Sequence, residues 1–128
     1  MAIQQTIMKA GTLREPHWYK ASDTLLFVRK GEAFFTMMDD VGIVYNALLK
    51  PGDLVFIPVG IFHAYVNTGS DNLEIYEAFN QAKDLAELGI LSGFQTFRPG
   101  TMASATGLSK ETIEKIQKDQ NRLYIYPF

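Results

Sequence analysis

Between Thr24 and Phe79 the hydrophobic residues fall in short runs, each stopped by residues that favour turns. "TLLFV" ends at "RKGE", "AFFTMM" at "DDVG" and "IVYNALL" at "KPGD". "LVFIPVG" then leads into "IFHAYVN", and "TGSDN" separates that run from "LEIYEAF". Runs of this length and spacing, punctuated by Gly, Asp and Asn, predict six or seven strands in a barrel or sandwich. Several are apolar at both parities: Leu25 and Phe27 alternate with Leu26 and Val28. Successive strand side chains point to opposite faces, so such strands are expected to be covered twice. The interior covers one face, and a second sheet, the C-terminal segment or a partner subunit covers the other. The last option makes the protein a homodimer, a common assembly for a small domain.

After Asn80 the pattern changes. "KDLAELGIL" predicts a short helix with Gly93 as its stop, and "SKETIEKIQKDQN" a clearer one. In the second, Ser109 is the cap, Glu111 suits the first turn, and Ile113 and Ile116 share a face. The closing "RLYIYPF" is too apolar to hang in water and is expected to pack along the barrel or a neighbouring subunit. The expected organisation is one domain over residues 1–128, with a β core at about 11–80 and a helical segment at about 81–128.

Composition narrows the function. The chain has 128 residues, 47% hydrophobic and 20% charged, which suits a globular domain with a proper core. A net charge of -2 gives no electrostatic reason to expect nucleic acid or an anionic membrane as partner. No cysteine is present, which excludes disulfides and thiolate metal sites. The N-terminal "MAIQQTIMKAG" lacks an apolar signal region, and no run is long enough for a spanning helix, so a soluble cytoplasmic protein is expected.

Two spacings carry the chemistry. The first runs Gly11, five residues, His17-Trp18-Tyr19, four residues, Thr24, six residues, Gly31. The second runs Gly52, five residues, Pro58-Val59-Gly60, two residues, His63, three residues, Asn67. Together they resemble the two motifs of the cupin superfamily, and "LREPHW" with the tail "FRPGTMASATGLSKETIEKI" is most similar to the oxalate decarboxylase and germin-like branch. The resemblance implies an all-β fold, a small jelly-roll barrel (double-stranded β-helix) with short C-terminal helices. It also implies a site of three His and one Glu around a divalent ion such as manganese or iron. His17 matches the first ligand and His63 the last, while Tyr19 stands at the second His position and Thr24 at the Glu position. Asp23, adjacent to Thr24, is expected to face outward.

Two imidazoles, a phenol and a hydroxyl would leave a dication at +2 in a low-dielectric barrel, at a cost of several kcal/mol. On that electrostatic ground no strong metal site is expected, although manganese, iron or zinc held by His17 and His63 is the alternative. The pocket is expected to be lined by Arg14, His17, Tyr19, Thr24, His63 and Tyr65 and to take a small polar or carboxylated molecule. For Arg14, at the pocket mouth, two roles stand: bidentate grip of a ligand carboxylate, or a surface ion pair with Glu15 or another acid. Tyr19 either donates to a ligand or is a core residue whose hydroxyl meets His63. No catalytic residue is assigned. The expected function is a non-catalytic, metal-independent binding protein, with a metal-dependent small-acid decarboxylase or oxygenase as the alternative.

Overall fold

The computed structural model describes residues 1–83, 85–118 and 125–128. Among them the chain forms β1 (Ala2–Met8), β2 (Thr12–Tyr19), β3 (Thr24–Lys30), β4 (Ala33–Met38), β5 (Val44–Leu49), β6 (Leu54–Ile57), β7 (Phe62–Asn67) and β8 (Leu73–Phe79). The short β9 (Glu87–Gly89), α1 (Ile90–Thr96), α2 (Pro99–Thr106), α3 (Lys110–Lys118) and β10 (Ile125–Pro127) follow. One sheet has the order β1-β8-β3-β6; the other runs β10-β2-β7-β4-β5, with β9 also paired to β2. All pairings are antiparallel. The result is the expected all-β jelly-roll with short helices near its C-terminal end. No described helix is long and apolar enough to cross a membrane.

Alternation decides which face of each strand is inside. Leu26 and Val28 of β3 and Leu73 and Ile75 of β8 are buried against Met8, Phe35, Leu49, Ile57 and Tyr65. Each large side chain so buried contributes about 1.5–3 kcal/mol, so slipping one strand by one residue would forfeit several of these at once. The turn from β3 into β4 needs glycine. Gly31 has φ +82°, and a Cβ there would lie 2.8 Å from the Asn72 carbonyl oxygen. Asn67, at the end of β7, is a structural bracket. Its amide donates to the carbonyls of Met8 (3.0 Å) and Asp71 (2.8 Å), tying β7 to the end of β1.

The chain departs from the sequence reading after Asn80. Glu87–Gly89 is a strand instead of the middle of a helix, because an open edge of β2 lies beside it and ladder pairing overrides local propensity. The helix that follows runs through Gly93 to Thr96. A helix not singled out by pattern, α2, has Pro99 in its first turn and ends on Gly107 in the left-handed conformation. Ser109 caps α3 as expected, accepting the Thr112 amide at 3.1 Å, and Ile113 is buried. Asp84 of the first expected helix and 119–121 of the second lie outside the described residues. So do 122–124 of the final run, whose last part packs along β2 as β10.

Candidate metal centre

His17 and His63 reach the same point because β2 and β7 are neighbours that place the two residues opposite each other. Both are buried, with ring centroids 4.2 Å apart. Nδ1 of His17 donates to the Glu15 carbonyl at 2.6 Å, and Nδ1 of His63 to the Ile61 carbonyl at 2.9 Å. A carbonyl only accepts, so each Nδ1 carries the hydrogen, and a ring with a single hydrogen then presents the lone pair of Nε2. The third member comes from the opposite sheet. Glu77 of β8 is completely buried, and one ligand atom from each of His17, His63 and Glu77 lies within 4.8 Å of the other two.

Glu77 overturns the premise that the cavity holds no carboxylate. A visible signal existed in "LEIYEAF": Leu73, Ile75, Glu77 and Phe79 share one parity, so an inward row otherwise apolar carries a single acid. Its chemistry shows that burial is costly. Burial raises its pKa to about 7, with Glu87 adding to the rise and Arg14 and Tyr65 opposing it. His63 moves the other way, to about 4, chiefly because burial disfavours the imidazolium.

The other candidate residues assemble around this centre. Tyr19, Thr24 and Tyr65 are all buried. The Tyr19 ring meets His17 edge-on at 5.2 Å and Phe79 at 4.9 Å. Its hydroxyl does not hydrogen-bond His63; it and the Thr24 and Tyr65 hydroxyls have no hydrogen bond of normal geometry among the described residues. Burial raises the pKa of both tyrosines, which keeps them as neutral phenols. Asp23 faces away as expected, accepting the Val59 amide at 2.8 Å and the Asn80 side chain at 2.9 Å.

Arg14 is corrected. It is 2% exposed instead of lying at the surface, and its ion pair is with Glu87 of β9, at 2.8 Å. A β-bulge between Arg14 and His17 lets both point inward although they are three residues apart. Burial opposes the guanidinium charge, but Tyr65 and the hydrogen-bonded Glu87 outweigh it and raise the pKa. Glu87 was missed because its segment reads as helix.

The two titrations oppose each other in metal-free protein. His63, lowered to about 4, contributes stability present above pH 6.5 and lost as pH falls toward 4. Glu77, raised from 4.5 to about 7, contributes stability present below pH 4.5 and lost as pH rises to 7. Each effect is on the order of 3 kcal/mol. Urea unfolding of metal-stripped protein should therefore show little net change from this pair between pH 4.5 and 6.5. Glu77→Gln should unmask His63 and become more stable by up to about 3 kcal/mol across that window. A variant as flat as the parent would contradict the assignment.

Comparison with known proteins decides the family. The family model described as Cupin matches residues 1–114. The chain belongs to the cupin family. Among curated relatives, this cupin is 24% identical over 113 residues to an oxalate decarboxylase of Arthroderma benhamiae, covering 88% of this chain and 27% of the relative. It is 32% identical over 79 residues to germin-like protein 9-1 of Oryza sativa subsp. japonica, covering 59% of this chain and 32% of the relative. The cupin thus spans about a third or less of the length of these relatives. A solved structure of Bacillus subtilis oxalate decarboxylase, described for its Mn(II) centres, superposes with a TM-score of 0.87 at 16% identity. The match covers 98% of this chain and 33% of that one. This likeness shows the fold.

The residues of this cupin fit a metal ion. Two imidazoles with Nδ1 anchored to backbone and Nε2 turned inward have the tautomer that metal-ligating histidines need, held by the kind of outer partner such sites use. The three donor atoms lie within 4.8 Å of one another, whereas donors about 2.0–2.2 Å from one ion at tetrahedral angles are about 3.3–3.6 Å apart, so binding would draw the side chains together by on the order of 1 Å. The carboxylate reduces a dication to net +1, the same balance as three His and one Glu.

Proposed function

We propose that this cupin holds a divalent first-row ion at His17, His63 and Glu77 and acts on a small carboxylic acid seated beside it. The observation that carries the reading is the buried convergence of two imidazoles and one carboxylate from facing sheets. A two-His, one-carboxylate set that leaves coordination positions open is the ligand pattern of non-haem iron sites, and manganese or zinc share its donors. When bound, the ion supplies Lewis acidity and a place for a substrate oxygen.

The chain's own residues supply recognition. A cavity of about 300 Å³ is lined by Gln4, Thr6, Arg14, Glu87 and Ile125, room for an acid of a few carbons. None of His17, His63 and Glu77 lines it, and Arg14 is the residue that would link it to the ion. Arg14 offers a fork of donors that matches a carboxylate, and Glu87 occupies that role in this structure. A substrate carboxylate would take over the guanidinium and release Glu87, which has 19% of its side chain exposed and can swing outward. Tyr19 and Tyr65, neutral and adjacent to Arg14, can then donate to substrate oxygens.

Protein purified without chelator and reconstituted with Mn(II), Fe(II) or Zn(II) is expected to bind about one ion per chain, and its turnover to be screened on small mono- and dicarboxylic acids. Arg14→Gln should leave metal content unchanged and raise KM for the active acid by about 10–100-fold, the worth of a charge-assisted hydrogen bond. An unchanged KM would remove Arg14 from recognition. Failure of all three ions to bind would remove the metal centre and favour a metal-free carboxylate pocket.

A further inference from the structure

Three buried hydroxyls, those of Tyr19, Thr24 and Tyr65, face the barrel interior without a hydrogen bond of normal geometry among the described residues. A buried donor left unmet is costly, so each needs an acceptor. Register places two of them together. Tyr19 shares the inward parity of β2 with His17, and its ring centroid lies 5.2 Å from that of His17 and 6.1 Å from that of His63. Thr24 pairs with Phe79 across β3 and β8, which sets it diagonally from Glu77 on the inner face, about 7–8 Å away. Phe79 also packs edge-on against Tyr19 at 4.9 Å. Tyr19 and Thr24 therefore flank one ring and approach the two histidines and Glu77 from the same end of the barrel.

We propose that the Tyr19 and Thr24 hydroxyls select the remaining ligand of the ion, and that the ligand they fit is a small monoanion bearing two acceptor oxygens on one carbon, a carboxylate. Resting on the metal centre proposed above, the selection concerns the ion's own ligand, not the group held at Arg14. A balance of donors and acceptors carries it. An ion at the centre takes Nε2 of both imidazoles and one oxygen of Glu77. The second Glu77 oxygen can satisfy one hydroxyl, and Tyr65 is the one that acts on it. Tyr19 has Arg14 beside its oxygen; a guanidinium only donates, so the phenol hydrogen still needs an acceptor. Thr24 needs one as well. Water on the ion would turn its two hydrogens outward and leave both hydroxyls unmet. A carboxylate offers about four acceptor sites, of which the ion uses one and the two hydroxyls two more. Charge agrees. A dication with Glu77 stands at net +1, the phenols are neutral and Arg14 is matched by Glu87, so one negative charge completes the site.

The test uses the whole chain loaded with Co(II), whose visible spectrum responds to its ligands. Elemental analysis first reads the ion content, expected to be about one per chain. Acetate is then titrated as the monoanion, and imidazole as a neutral ligand that has no acceptor left once it coordinates, both at constant ionic strength. Tyr19→Phe and Thr24→Val should each weaken acetate binding about 10-fold or more, as loss of a charge-assisted hydrogen bond does. Co(II) content and imidazole affinity should stay as in the parent, and Thr24→Ser, which keeps the hydroxyl, should bind acetate like the parent. Near-UV circular dichroism checks each fold; if Tyr19→Phe does not fold, Thr24→Val against Thr24→Ser decides. A parent chain that takes up no Co(II) would remove the metal centre and the selection with it. With Co(II) bound, an unchanged acetate affinity in either folded variant, or imidazole weakened as much as acetate, would overturn the selection and leave the metal centre standing.

Discussion

Exchanging Glu77 for glutamine is expected to weaken divalent-ion binding by at least about 100-fold while making the metal-free protein more stable at pH 8. Both effects follow from one buried carboxylate. Glutamine keeps the shape and an oxygen donor but removes the only negative charge in the ligand set, so a bound dication would stay at +2 in a dry site. Several kcal/mol of unbalanced charge convert to two or more orders of magnitude in affinity. Without metal the sign reverses. Burial places the pKa of Glu77 at about 7, so at pH 8 the folded chain carries an ionised carboxylate at a cost that glutamine does not have. Isothermal titration with zinc or manganese reads the first effect, and urea unfolding of stripped protein reads the second. The parent should gain roughly 10 °C in Tm at an ion concentration about 100 times Kd, and the variant almost nothing. A variant that binds metal as tightly as the parent would show that Glu77 is not a ligand.

Truncating Phe79 to alanine should cost about 3–5 kcal/mol, the usual range for a fully buried aromatic and a large share of the 5–15 kcal/mol typical of a domain. Phe79 is 1% exposed, ends β8 opposite Ala2 and Thr24, and packs edge-on against Tyr19 at 4.9 Å. The cavity would open beside Tyr19, whose ring in turn contacts His17. Denaturant unfolding measures the loss. A change below about 1.5 kcal/mol would mean that the surrounding strands collapse onto the gap, or that Phe79 is less tightly packed than its burial indicates.

The strands from β3 to β8 were legible because period-two alternation and turn residues are local signals. Each quoted run became a strand, and Gly31 and Asn67 sit where their spacing placed them. The two histidines were legible for the same reason: a motif spacing fixes them on two strands. The segment 87–89 was not, because its strand exists only against the open edge of β2.

What the sequence determined by itself was the β architecture, the family likeness and a pair of inward imidazoles, since all three depend on residues close together along the chain. Parity could place Glu77 inward, but tertiary structure decided which inward residues share the site. It brought Glu77 across from the opposite sheet to His17 and His63, and Glu87 from a late edge strand to Arg14, over distances of 14–73 residues that no local period encodes. Electrostatics acts through space and falls off with separation in ångströms, so the balance that permits a metal could be read only after the two sheets were placed face to face.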